Sequence, residues 1–301
     1  MQGDDDDAMA ILEILKRRNN TPAIDRDALK AEIIDELERT IGLQPLKIIV
    51  ENRTLNLPPK ETICHKAFPS LLRALQAKQN IYLVGGAGTG KTTGAEHAAA
   101  ALGLPFYFNG AIDTEYKLLG FTDAMGRVVS RPFREAFING GVYLFDEVDA
   151  SFPSALLAFN AALANGTCDF PDGCHKRHDD FYCIAAANTF GHGATAQFSG
   201  RSKLDGAFLD RFVTIEWNID EALEQHLALA NIENQITGRK WISFVHDCRE
   251  RAAKAGLMVS ISPRASIAGC KLLQAGFLWE EVAEMAVRKG LPTTQWEKIS
   301  Q

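Results

Sequence analysis

The sequence predicts an α/β fold in which a parallel five-stranded sheet is followed by an all-helical domain. Three observations carry that reading. Short apolar runs at residues 81–84, 105–108, 142–145, 182–187 and 212–217 alternate with helical stretches, and runs apolar throughout suit strands buried on both faces of a parallel sheet. A glycine-rich segment, Gly85-Gly-Ala-Gly-Thr-Gly-Lys91-Thr92, sits where the first run turns into the Ala-rich stretch 92–102. After Asn218 the apolar spacing becomes purely helical.

In chain order, residues 1–8 carry the acidic run from Asp4 to Asp7 and are set aside as a tag or tail. Residues 10–18 and 25–41 have helical apolar spacing, broken by Thr21-Pro22 and Gly42. Residues 1–45 are thus a tail and helical prefix, either an arm for oligomer or partner contact or a prefix packed on its own domain. Residues 46–50 and 54–57 read as a short hairpin, and 68–79 as an amphipathic helix leading into the first apolar strand. The α/β domain is expected over 46–218. The helical domain is expected over 219–301, with helices at 220–230, 241–255, 262–275 and 279–289.

With 301 residues, 46% of them apolar, the chain is long enough to bury a proper core. No apolar run approaches the roughly 18 residues of a membrane helix, and the N-terminus has no signal-peptide core. A cytoplasmic protein with no membrane partner is expected, its six cysteines reduced. The formal charge of −6 owes four charges to the run from Asp4 to Asp7, so it argues neither for nor against nucleic acid. Any basic surface must be local.

The glycine-rich segment has the composition of a triphosphate cradle. Gly85, Gly86, Ala87, Gly88, Thr89 and Gly90 let backbone N–H groups converge on phosphates, and the helix opening at Lys91, Thr92 and Thr93 adds the positive end of its dipole. Lys91 reaches the outer phosphates of ATP, and the Thr92 hydroxyl is a ligand for Mg²⁺. Downstream, Val142-Tyr-Leu-Phe-Asp146-Glu147 is an apolar strand ending in two carboxylates. Asp146 suits the metal, and Glu147 suits a general base that polarises the attacking water. Asn109 and Asn188 also end apolar strands. Strand C-termini in open α/β sheets face the ligand crevice, so both side chains are expected near the γ-phosphate and Glu147.

Together with Leu209-Asp-Arg211-Phe and Ser262-Pro-Arg264-Ala, these motifs resemble an AAA+ ATPase, and look most like the MoxR and cobaltochelatase-subunit (dynein-related) branch. The resemblance runs from about Leu46 to the end of the chain. It implies an AAA+ P-loop sheet domain with a C-terminal helical lid, working as a ring-forming homo-oligomer, a hexamer, that hydrolyses ATP. On that resemblance Asn188 is the sensor-1 residue and Asn109 a switch holding Glu147 off. Arg211 is the arginine finger offered to a neighbour, Arg201 a rival finger, and Arg264 the sensor-2 arginine. It further implies two inserts, a hairpin turned around Met125-Gly126 and one turned at Pro171-Asp-Gly173, which in ring-shaped relatives face the pore.

Those hairpins carry Arg127, Arg131, Lys176 and Arg177, so two targets stay open. One is a protein, remodelled with or without a von Willebrand factor A-type adaptor; the other is nucleic acid, as in translocases and loaders of bacteria or their viruses. Cys168, Cys174, His175, His178 and Cys183 cluster, but their spacing fits a zinc site poorly.

Overall fold

The computed structural model describes residues 49–50, 53–54, 63–194 and 200–300. The helices expected at 10–18 and 25–41 lie outside them. Residues Lys47–Gln301 form one compact unit. Strands β1 (Ile49–Val50) and β2 (Arg53–Thr54) pair antiparallel as a short hairpin, with Val50 opposite Arg53.

Helix α1 (Phe68–Gln76) leads into β3 (Ile81–Val84), and α2 (Lys91–Leu102) follows the glycine-rich loop. Next come β4 (Phe106–Asn109), α3 (Glu115–Leu119), the hairpin β5 (Phe121–Thr122) and β6 (Val128–Val129), and α4 (Pro132–Asn139). Strand β7 (Gly141–Phe145) and a 3-10 turn at Val148–Ala150 lead to α5 (Pro153–Asn165). The second hairpin, β8 (Thr167–Phe170) and β9 (Gly173–Lys176), precedes β10 (Phe181–Ala187). The short α6 (Gly206–Leu209) and β11 (Val213–Glu216) close the sheet.

The five long strands lie in the order β11-β3-β10-β7-β4, all parallel. Side chains alternate across each strand; the inner strands β3, β10 and β7 are buried on both faces as their apolar runs imply, whereas the edge strands β4 and β11 stay partly exposed. On one face Phe133 and Phe137 of α4 and Phe159 of α5 pack on Tyr143 and Phe145 of β7. On the other, Leu71, Leu72 and Leu75 of α1 and the alanines of α2 cover Ile81, Leu83, Leu144 and Ile184. Trp217 completes this second face and explains two glycines. A Cβ on Gly85 would stand 2.1 Å from the Trp217 carbonyl oxygen, and one on Gly94 would stand 2.4 Å from its indole ring.

The C-terminal lid has its own core. It comprises α7 (Glu221–Leu229), α8 (Gln235–Lys254), α9 (Pro263–Gln274), α10 (Trp279–Ala283) continued by a π-helical turn at Glu284–Arg288, and α11 (Thr293–Ser300). Trp241 is fully buried there, its ring edge-on to Trp279. No described helix is long and apolar enough to cross a membrane.

Candidate functional site

The glycine-rich loop leaves the C-terminal end of β3 and turns into α2 through Gly88 and Gly90, whose φ angles of 75° and 86° favour glycine. Lys91 folds back under this loop. Its Nζ donates to the carbonyls of Gly85 (2.7 Å) and Gly86 (3.0 Å) and to Asn188 Oδ1 (3.0 Å). The residue is only 7% exposed. Burial pulls its pKa down to about 8, against the opposing pull of Asp146 and Asp149.

Across the loop mouth Thr92 Oγ1 donates to Asp146 Oδ2 at 2.9 Å, and Asp146 Oδ1 accepts the Glu147 N–H at 2.8 Å. Glu147 is one of three non-glycine residues with positive φ among those described, at 51°. Such a conformation costs roughly 1–2 kcal/mol and here fixes the direction in which the second carboxylate leaves β7. That carboxylate meets Arg201, with Nη2 to Oε1 at 3.3 Å. Arg201 Nη1 bonds Asp149 Oδ1 at 2.9 Å, and Asp149, wholly buried, also accepts from Thr189 Oγ1 at 2.9 Å.

Above the loop, the lid closes a cavity of about 370 Å³ lined by Gly88, Thr89, Gly90 and Thr93 on one side and Leu223, Leu227, Pro263 and Ile267 on the other. His65 forms part of its wall, stacked on Trp217 with ring centroids 4.2 Å apart. It donates Nε2–H to the Asn218 carbonyl and accepts the Ala67 N–H at Nδ1, which selects one tautomer. Burial lowers its pKa, favouring the neutral ring. The size and mostly apolar lining suit a nucleobase and ribose beside a phosphate cradle. A second cavity, of about 490 Å³, separates Gly86 and Ala87 from Ser260, Ile261 and Arg249 of the lid.

A buried knot holds the lid's first three helices. Glu224 of α7 takes both arms of Arg249 (3.0 and 2.8 Å), the Ser266 hydroxyl, and His246 at 3.3 Å. Burial alone would raise the Glu224 carboxyl, but these partners outweigh it and hold the pKa at about 2. Arg249 also donates to the Ile261 carbonyl just before α9, at 2.7 Å.

A parallel sheet ordered β11-β3-β10-β7-β4, with a phosphate loop after β3, paired acids after β7 and a helical lid, fits one family pattern. Residues 80–212 match the AAA domain of the dynein-related subfamily. The fold is that of an AAA+ module. Among solved structures, a RuvB variant from Thermotoga maritima aligns at 17% identity and a TM-score of 0.45, over 68% of this chain and 59% of that one. NtrX from Brucella abortus in complex with ATP aligns at 18% identity and 0.43, over 89% and 59%. The chain therefore spans about three fifths of the length of these two structures. No curated protein matches the sequence.

At the mouth of the glycine-rich loop the structure brings Lys91, Thr92, Asp146, Glu147, Asn188 and Arg201 together. Arg264 also belongs here: a Cβ on Gly88 would lie 3.0 Å from Ser262 Oγ and 3.3 Å from Arg264 Cγ, so the start of α9 rests on the loop. Ser262 is the N-cap residue by position, but its side chain makes no capping bond and lies against Gly88 instead. Two residues make contacts other than the expected ones. Asn109 does not hold Glu147: its Oδ1 accepts the Tyr143 hydroxyl at 3.1 Å, and Arg201 is what touches the Glu147 carboxylate. The Arg201 side chain is 13% exposed and bonded to Asp149 and Glu147 of its own chain.

Arg211 is far from the cradle of its own chain. Its side chain bonds the Ala207 carbonyl of the preceding helix α6, and its own carbonyl accepts from Asn80, at the entry of β3. Four residues of β3 separate that entry from the loop, about 13 Å at the usual rise.

Sequence reasoning missed Asp149, His65 and the Glu224 knot. Asp149 had a signal, a third acid two places after Glu147 in the same segment. His65 and Glu224 had none, since a lone histidine before a helix and a glutamate inside one are ordinary surface residues in sequence.

The zinc cluster dissolves in the same way. In the β8-β9 register Cys168 faces His175 while Asp169 faces Cys174, so the two cysteines lie on opposite faces, one buried and one exposed.

Proposed function

We propose that the chain is a Mg²⁺-dependent ATPase acting as a hexameric ring that remodels a protein partner. Thr92 and Asp146 are the residues that would hold the cation. Their oxygens stand 2.9 Å apart, and two such donors suffice for an ion that keeps several waters and takes phosphate oxygens. When bound, it neutralises charge on the phosphates. Lys91 orients the outer phosphates, Glu147 accepts the proton of the attacking water, and Asn188 and Arg264 position the γ-phosphate from the sheet and the lid. Arg211, turned away from its own cradle, serves the site of a neighbour, and such head-to-tail contacts close into rings.

One observation favours a polypeptide over nucleic acid as the target. The β5-β6 hairpin presents Phe121, Val128 and Met125, the last 79% exposed, while Arg127 beside them is neutralised by Asp123 at 2.8 Å. On the β8-β9 hairpin Lys176 and Arg177 share the segment with Asp169, Asp172, Asp179 and Asp180. Asp172 is itself tied to Arg134 of α4 and to His175. A mixed-charge rim with an apolar tip suits an unfolded chain better than a polyanion.

The test is steady-state ATP hydrolysis with Glu147→Gln as the blank, in the presence of an unfolded polypeptide such as casein, or of single- and double-stranded DNA and RNA. Stimulation by the polypeptide, lost in Met125→Asp, is expected. Stimulation by nucleic acid that fades with salt, and with removal of Arg131, Lys176 and Arg177, would replace this reading with a translocase or loader.

A further inference from the structure

We propose that Arg201 is a positioning residue that latches the Glu147 carboxylate within the same subunit and so sets the resting rate of the site; the inference rests on the ATPase reading above. Its anchor is Asp149. A wholly buried carboxylate needs a cation, and Arg201 Nη1 supplies it at 2.9 Å. The backbone adds a second tie, since the Ser202 N–H donates to the Asp149 carbonyl at 2.7 Å. With one arm of the planar guanidinium committed, the other falls 3.3 Å from Glu147 Oε1. Glu147, half exposed and set on left-handed backbone, is steered by this contact. An oxygen turned to an arginine is not aimed at water.

The far end of the same chain of polar groups reaches the phosphate cradle. Thr189 Oγ1 donates to Asp149 Oδ2, and the Thr189 carbonyl is pinned by the Tyr82 hydroxyl at 2.9 Å. Its neighbour Asn188 accepts from Lys91 Nζ. Lys91, Asn188, Thr189, Asp149, Arg201 and Glu147 are therefore continuous. A phosphate that draws Lys91 away from Asn188 disturbs the network that holds the base. Release of Glu147 is thereby tied to occupancy of the cradle, without any contact between Arg201 and a neighbouring subunit.

Arg201→Lys separates the two arms. A lysine keeps a cation against Asp149 but has no fork to span to Glu147. Full-length Arg201→Lys should melt near the wild-type temperature and hydrolyse ATP with basal kcat raised about two- to five-fold, the population shift from losing one half-exposed ion pair, at unchanged KM. Arg201→Ala orphans Asp149 and should lose stability. Basal kcat that falls or stays level in Arg201→Lys, with the wild type active, overturns the latch and leaves the ATPase reading standing. Absence of turnover in the wild type and in every Arg201 variant overturns the ATPase reading and the latch with it.

Discussion

Lys91 holds its charge where burial opposes it, and that has two measurable effects of opposite sign. Its folded pKa of about 8 lies below the ordinary lysine value, so the unfolded chain binds the proton more tightly. Below pH 8 the full cost of the buried charge weighs on the fold, and it is relieved as pH climbs toward the lysine value. The nucleotide-free protein should therefore gain stability from this group above pH 8, read as thermal midpoint against pH. ATP needs the charged amine, so its Kd should rise over the same interval, by up to about tenfold per pH unit. Titration calorimetry at pH 7 and 9 checks this; equal affinities would place the Lys91 pKa well above 9. Gly94 offers a packing test. Alanine there would gain about 1 kcal/mol of helix propensity but meets the Trp217 ring at 2.4 Å, an overlap costing about 1–3 kcal/mol. Gly94→Ala should lower the thermal midpoint, and Trp217→Phe should cancel part of that loss in a double-mutant cycle.

The lid helices depend on the Glu224 knot more than on their own propensities. A buried carboxylate held at about 2 contributes stability that is complete above its unfolded value and is lost as pH falls from about 4.5 to 2. Unfolding followed by the fluorescence of the lid tryptophans, Trp241, Trp279 and Trp296, should show an acid-sensitive step in that interval. Glu224→Gln should flatten it while destabilising the lid at pH 7. Element types were largely legible in the sequence. The five strands lie within a residue or so of the apolar runs. In the inner three, β3, β7 and β10, burial on both faces leaves no polar position to blur the limits, while the edge strands β4 and β11 are only partly buried. Helix α8 begins at Gln235, earlier than the expected 241, because Asn234 caps it by accepting the Thr237 N–H; Gly238, Arg239 and Lys240 hide that turn from periodicity. Helix α11 was missed, since its two core-facing apolar residues, Trp296 and Ile299, are too few to mark a period in eight residues. The site was legible where chemistry is local, as in Gly85 to Thr92 and Asp146-Glu147. It was illegible where a bond joins distant segments, as from Arg201 to Glu147, 54 positions apart.

For the whole molecule, the decisive placement is that of Arg211 at the opposite end of β3 from the cradle it would serve. On the proposed reading one chain would hold two half-sites, a cradle and a finger, and a complete site would need two copies. Arg211→Ala should bind ATP with wild-type affinity and lose turnover by about 10³-fold or more, as expected of a lost arginine finger. Lys91→Ala should fail at binding. Mixing the two inactive proteins should restore part of the activity, because some contacts then pair an intact cradle with an intact finger. No recovery, in a mixture shown by native mass spectrometry to form joint oligomers, would place the finger elsewhere.

Trp217 has a historical consequence as well. Gly85 faces the backbone of residue 217, so no change of side chain there can release it, whereas the atoms nearest to Gly94 are those of the indole. Among descendants of this chain, Gly85 is expected to stay fixed whatever happens at 217. A larger residue at 94 should arise only in lineages where the tryptophan has already shrunk, so that the order of the two replacements is written into the phylogeny.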